Sequence, residues 1–150
     1  MTTPLNQALL SLPHGPEFRF IDCLLELDPG RSGSGEYRVR GDEPFLRGHF
    51  PGQPVMPGVL LIEAAAQLAG IVAQSDPRIP PMPDLKLTAI RAAKILGTAA
   101  PGQVIHIESR ILGRMNNLVQ AQATTSVNGK LVLQAELTLS GEVSRQSGCA

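Results

Sequence analysis

The segment "GVLLIEAAAQLAGIVA", residues 58–73, constrains this chain more than any other. It is rich in Leu and Ala and follows Pro57, a residue tolerated at a helix start. The spacing predicts a helix over 58–73. Its apolar residues occupy nearly every side, so the helix should be buried rather than amphipathic. Such a helix needs a sheet wrapped around it. The remaining sequence supplies strands. "FRFIDCLLEL" (18–27) partly alternates, and "EYRVR" (36–40) reads as a second short strand. "QVIHIESRIL", "LVQAQATTSV" and "KLVLQAELTLSGEV" alternate over much of their length, while "DLKLTAIRAAKIL" (84–96) fits either a strand or a helix. Residues 5–12 suit one or two helical turns stopped by Pro13. "DPGRSGSG" (28–35) reads as a turn, and Asn128-Gly129 as a tight hairpin turn. The proline-rich stretches 41–57 and 74–83 are loops within one domain. The fold class is therefore α+β: a single domain over 1–150, with 143–150 as a frayed tail.

One sheet has only one inner face to offer. Hydrophobic residues make up 43% of the chain and charged residues only 17%. That is somewhat low for a soluble monomer, so a second subunit continuing the sheet is the natural cover for the helix. The net charge is +0, and there are four Phe, one Tyr and no Trp, which argues against a nucleic-acid partner. Two cysteines, Cys23 and Cys149, make neither a disulfide framework nor a metal site and suit a reducing cytosol. The first residues have no basic stretch or long apolar run, so no signal peptide is expected. The apolar run 58–73 is too short for a membrane span. A cytoplasmic protein is the expectation.

Three features could carry chemistry. Glu63 is the one carboxylate within the apolar helix, and Gln67 shares its face one turn later. Withdrawal from water favours the protonated form of a carboxyl group, which can then donate a proton. His49 lies on the proline-studded loop before the helix. A neutral histidine with one nitrogen held by a backbone carbonyl presents the other as a base, and a stiff loop keeps it in reach. The helix start at Pro57-Gly58 offers free N–H groups and a close backbone approach, which can polarise a carbonyl oxygen. A base, an acid and a carbonyl polariser suit proton abstraction beside a carbonyl with loss or gain of a nearby group.

"LPHGPEFRFID", "FLRGHFPGQPVMPGVLLIEAAAQLAG" and "VNGKLVLQAELTLSG" resemble the FabZ-type (3R)-hydroxyacyl-[acyl carrier protein] dehydratases. The likeness runs over about residues 11–141 and is most specific at 45–67. It implies a hotdog fold, an antiparallel sheet wrapped around one long central helix, with the sheets joined in a homodimer and, in some members, a trimer of dimers. It implies His49 as base, Glu63 as acid, the Gly58 N–H on the thioester carbonyl, and the Val55 carbonyl orienting His49. In the family the histidine and the acid of one site come from different subunits. The implied reaction turns a (3R)-hydroxyacyl chain on acyl carrier protein into a trans-2-enoyl thioester, with no metal or redox cofactor. Phe50, Met56 and Pro57 join Gly58, Val55 and Gln67 as the expected substrate-binding residues.

One departure is clear. Where the family carries an arginine-tyrosine pair after its first histidine, this chain reads His14-Gly15-Pro16-Glu17-Phe18. That puts tunnel gating on a different footing. The family's isomerising members carry aspartate where this chain has Glu63, which favours dehydration alone. His14 reads as a structural loop histidine, His106 as a strand residue and Cys23 as core or half-buried. Arg47, Lys86, Arg91, Lys94, Arg110 and Arg114 are candidate contacts for an acidic carrier protein. The competing functions are a hotdog acyl-thioester hydrolase and a non-catalytic acyl-thioester binding module. The pairing of His49 with Glu63 argues against both.

Overall fold

A computed structural model describes residues 3–142. Cys149 and the tail expected over 143–150 lie outside the described residues. Helix α1 (Pro4–Leu10) is capped by Thr3, whose hydroxyl accepts from the Asn6 N–H at 3.1 Å. Strands β1 (Cys23–Asp28) and β2 (Ser32–Arg38) precede the central helix α2 (Gly58–Gln74). Strands β3 (Lys86–Ile95), β4 (Val104–Met115), β5 (Leu118–Val127) and β6 (Lys130–Ser140) follow it. The six strands form one antiparallel sheet in the order β1-β2-β4-β5-β6-β3. Among the described residues no helix is long and apolar enough to cross a membrane.

The sheet curls around α2. Leu61, Ala64, Ala65, Leu68, Ala69 and Val72 are buried against strand residues that include Ile105, Ile107, Ala121 and Ala123. The three alanines let the helix lie close to the sheet. The Ser109 hydroxyl donates to the Ala65 carbonyl across this contact at 3.2 Å. The β5–β6 hairpin turns at Asn128 (φ 52°) and Gly129 (φ 78°), as the Asn-Gly pair predicts.

Two local expectations need correction. The turn expected over 28–35 is confined to 29–31, and β2 already starts at Ser32. Its glycines are packing residues. A Cβ on Gly33 would lie 2.9 Å from Val72 Cγ2 of α2, and one on Gly35 would lie 2.9 Å from the Cys23 carbonyl oxygen. The strand expected from residue 18 begins only at Cys23. Upstream, the Gln67 side chain takes the Phe20 N–H (2.9 Å) and the Phe18 carbonyl (2.7 Å), which replaces a strand neighbour. Cys23, expected in the core or half-buried, is exposed, and Leu24 takes the inward position.

The segment 84–96 resolves as strand. β3 pairs with β6 on one side and, among the described residues, has no neighbour on its other edge. Its register breaks between Arg91 and Lys94, where Ala92 adopts φ 52°. Nearly all of β3 is exposed, including Ile90 and Ile95.

Candidate active site

His49 sits on the loop between β2 and α2, and that loop is tied down at both ends. At its start, Glu43 accepts from the Tyr37 hydroxyl (2.6 Å) and from the Arg40 and Gly41 N–H groups (3.0 and 2.7 Å). Arg40 in turn pairs with Asp22 at 2.6 Å. Burial pushes the Glu43 carboxyl up, but its hydrogen bonds from Tyr37, Arg40 and Gly41 outweigh burial and hold it below the usual carboxylate range. Burial, and then the bond to Glu43, raises the Tyr37 phenol. At the far end, the Met56 N–H donates to the Ala99 carbonyl at 2.7 Å.

The His49 Nδ1 lies 2.8 Å from the Val55 carbonyl oxygen. A carbonyl only accepts, so Nδ1 carries the hydrogen and Nε2 of the neutral ring keeps its lone pair. Phe50 contacts the imidazole edge-on, with centroids 4.7 Å apart, at a backbone φ of 55° rarely adopted outside glycine. Its own side chain is exposed.

Pro57 caps α2 without a side-chain hydrogen bond, and Leu60 and Leu61 are the first residues to donate back, both to the Pro57 carbonyl. The Gly58 and Val59 N–H groups have no acceptor among the described residues, so the positive end of the helix is open to a ligand. Gly58 has a packing reason as well: a Cβ there would lie 2.7 Å from Ile95 Cδ1 of β3.

Glu63 faces a cavity of about 680 Å³ lined by α2, the 11–14 segment and residues of β3 and β6. Its Oε1 accepts from Gln67 Nε2 at 3.2 Å and lies 3.3 Å from His14 Nε2. Gln67 is buried, and its amide also holds Phe18 and Phe20, so it braces Glu63 from a fixed base. The His14 loop is fixed by Arg19 Nε, which donates to the His14 carbonyl at 2.7 Å, and the His14 ring stacks on Phe18. His14, read as a structural histidine, therefore stands against the candidate acid. The signal that could have found it is the one that singled out His49: a histidine on a loop stiffened by nearby prolines, here Pro13 and Pro16.

The other expected site residues divide. Val55 and Gly58 stand beside His49 and at the helix start. Met56 is buried in the core and does not line the Glu63 cavity. His49 is also absent from that cavity's lining, and no hydrogen bond or ion pair joins it to Glu63 within the chain. Arg114, a candidate carrier contact, instead caps α2 by donating to the Ala73 carbonyl at 2.7 Å. His106 contacts Glu108 at 3.2 Å on the sheet surface. Among the described residues no group of three or more His, Cys, Asp or Glu is placed to hold a metal ion.

An antiparallel sheet curled around one long helix, with candidate chemistry at the helix start and on its open side, defines a hotdog-fold protein. Solved structures agree on the fold. The dehydratase heterocomplex ApeI:P from Xenorhabdus doucetiae superposes with a TM-score of 0.75 at 18% identity, covering 89% of each chain. Zebra fish thioesterase superfamily member 2 superposes with a TM-score of 0.67 at 18% identity, covering 91% of this chain and 92% of the other. The sequence narrows the class: residues 12–136 match the FabA-like domain, and the chain belongs to that family. It is 35% identical over 142 residues to the 3-hydroxyacyl-[acyl-carrier-protein] dehydratase FabZ of Syntrophotalea carbinolica, covering 91% of this chain and 93% of the relative. It is 37% identical over 133 residues to the FabZ of Dechloromonas aromatica, covering 87% and 92%.

Proposed function

We propose that the protein dehydrates (3R)-hydroxyacyl chains on acyl carrier protein to trans-2-enoyl thioesters, as its FabZ relatives are named for doing. The observation that carries the reading is the bond from His49 Nδ1 to the Val55 carbonyl, which in the neutral ring places the lone pair on Nε2, the nitrogen that would act as base. His49 Nε2 takes the proton from C2. The C2–H electron pair becomes the C2=C3 bond. The C3–O bond breaks with its pair on oxygen, and a proton from Glu63 completes the departing water. The Gly58 N–H meets the charge that develops on the thioester oxygen. As written, the reaction exchanges no electrons with an outside partner and calls on no metal or cofactor.

The site is completed by a second copy of the chain. His49 and Glu63 do not meet within one chain, and the surfaces around them are unfinished. β3 offers a bare edge with exposed Ile90 and Ile95. Phe50 and Val59, at 65% and 67% exposure, lie on the loop and at the helix start. Pairing two β3 edges would continue the sheet and let each His49 serve the partner's acid. The exposed Arg47, Lys86, Arg91, Lys94 and Arg110 are the candidate contacts for the acidic carrier.

Complementation tests this reading. His49→Ala and Glu63→Gln, made separately, should each lose water elimination from a (3R)-hydroxyacyl carrier protein by about a thousandfold. Co-expressed, they should recover about a quarter of wild-type activity, because half of randomly paired dimers regain one intact site of two. A co-expressed mixture as inactive as its parents would sink the shared site. Release of free acid by the wild type, in place of the enoyl product, would favour the hydrolase.

A further inference from the structure

Glu63 has polar neighbours on one of its two oxygens. Gln67 Nε2 and His14 Nε2 both approach Oε1, at 3.2 and 3.3 Å, and Oε2 has no partner among the described residues. An acid that lends a proton to a leaving group must carry it on an oxygen the substrate can reach. The two neighbours decide which oxygen that is.

Gln67 has one orientation. Its Oε1 accepts the Phe20 N–H at 2.9 Å and its Nε2 donates to the Phe18 carbonyl at 2.7 Å. An N–H only donates and a carbonyl only accepts, so the amide cannot be turned round. Gln67 therefore meets Glu63 as a donor, and Oε1 is an acceptor.

The same constraint reaches His14. Its side chain keeps 30% exposure, yet Nδ1 is buried and has no partner among the described residues. A neutral imidazole carries one hydrogen. On Nδ1 that hydrogen would be a buried donor with nothing to meet, and Nε2 would draw the proton of Glu63 away from the substrate. On Nε2 it lies on the side of Oε1, and only a lone pair is left unmet. A buried, unpartnered Nδ1 also cannot pass protons to water, so His14 is no relay. The segment around it holds the ring in place. Arg19 donates to the His14 and Leu12 carbonyls at 2.7 and 3.4 Å. Phe18 serves both neighbours of Glu63: its ring stacks on His14, with centroids 6.1 Å apart, and its carbonyl takes Gln67.

We propose that His14 is a positioning residue for the acid, held as the Nε2–H tautomer: with Gln67 it keeps Glu63 Oε1 an acceptor, so the reactive proton sits on Oε2. This role rests on the dehydratase reading and adds a residue to its site. When the Oε2–H bond breaks, its proton joins the departing hydroxyl and its electron pair stays on Oε2. The new carboxylate then forms with two N–H groups already facing it. The other charged groups around the pair are Glu17 and Arg19 on the 14–20 segment and Asp84 and Lys86 in the cavity wall. Neither Arg19 nor Lys86 is within ion-pair distance of Glu63.

The first test needs only the wild type. Nitrogen NMR of ¹⁵N-histidine-labelled protein at about pH 8, above the ordinary histidine range, reads each tautomer, with His14 assigned by its loss in His14→Gln. His14 should carry its hydrogen on Nε2 and His49 on Nδ1. A hydrogen on His14 Nδ1 overturns the proposal. The second test follows the titration of Glu63 in ¹³C-glutamate-labelled protein, with amide spectra to confirm folding. A donor favours the carboxylate and an acceptor the acid, so the sign of the shift tells them apart. His14→Ala admits water and His14→Leu excludes it, but both lack the donor. The Glu63 midpoint should rise by at least about half a pH unit in both and return in His14→Gln. A midpoint that stays or falls in either overturns the proposal. In turnover, kcat should drop about tenfold in both with KM within about twofold, and the basic limb of the kcat profile should move with the midpoint. If tautomer and midpoints behave as expected but no hydroxyacyl carrier protein loses water, the positioning role stands and the dehydratase reading fails. If water is lost while the midpoints stay put, the positioning role fails and the dehydratase reading stands.

Discussion

Along the sheet-facing side of α2, Leu61, Ala64, Ala65, Leu68 and Val72 are wholly buried and apolar. Along the opposite side run Val59, Glu63, Gly70 and Gln74, all partly or largely open. The first set is what burial alone would select, because each side chain removes apolar surface from water. The second includes an acid, a glycine and an amide, none of which a packing argument would place there. One helix therefore carries two kinds of residue. Its sheet side holds the fold together, and its open side carries the candidate acid. Mutations on the two sides should separate stability from activity.

Leu68→Ala should have the largest effect on the fold, with a loss of about 3 kcal/mol measured by urea unfolding, since Leu68 has no exposed surface. Activity per folded molecule should hold, and an equal collapse of both would break the comparison. On the open side, His14→Ala should lower kcat about tenfold by freeing Glu63 from one of its two partners, while the urea midpoint barely moves. Partial recovery in His14→Gln, with KM unchanged, would mark a positioning role. Gly70→Ala should raise stability by about 0.5–1 kcal/mol, because the helix gains propensity and the methyl group meets only Leu139. A loss of stability there would return Gly70 to the packing side.

The smallest effect concerns the His49 loop and is a matter of pH. The folded state holds Glu43 below its ordinary range, so its contribution to stability is present above the unfolded carboxylate pKa and is lost as pH falls through the folded one. Glu43→Gln should melt lower than wild type at neutral pH and converge with it in acid. Parallel melting curves from neutral pH down to pH ~3 would show that the clasp around Glu43 contributes nothing.

Much of this was legible in the chain. The helix over 58–73, the strands after it and the Asn128-Gly129 turn follow from periodicity and from local backbone preferences, which act over a few residues. Glu63 and His49 were visible because each breaks its local pattern, an acid in an apolar run and a histidine on a stiff loop. The glycines of β2 were misread because a turn glycine and a packing glycine look alike until the helix that crosses them is in place. The strand expected from residue 18 was misplaced for a related reason: its backbone partner is the Gln67 side chain, 47 residues away from Phe20. β3 stayed ambiguous because an edge strand with nearly every residue exposed has no buried face to impose a period on its sequence.

The sequence by itself determined the central helix and its burial against strands, and it singled out His49 and Glu63 as candidates. Tertiary structure alone decided that His14 stands 3.3 Å from Glu63, that His49 and Glu63 lie apart within one chain, and that Gly70 faces open space. The physical reason is range. Propensity and periodicity act between near neighbours, whereas each of these facts depends on groups that only the packing of helix on sheet brings together.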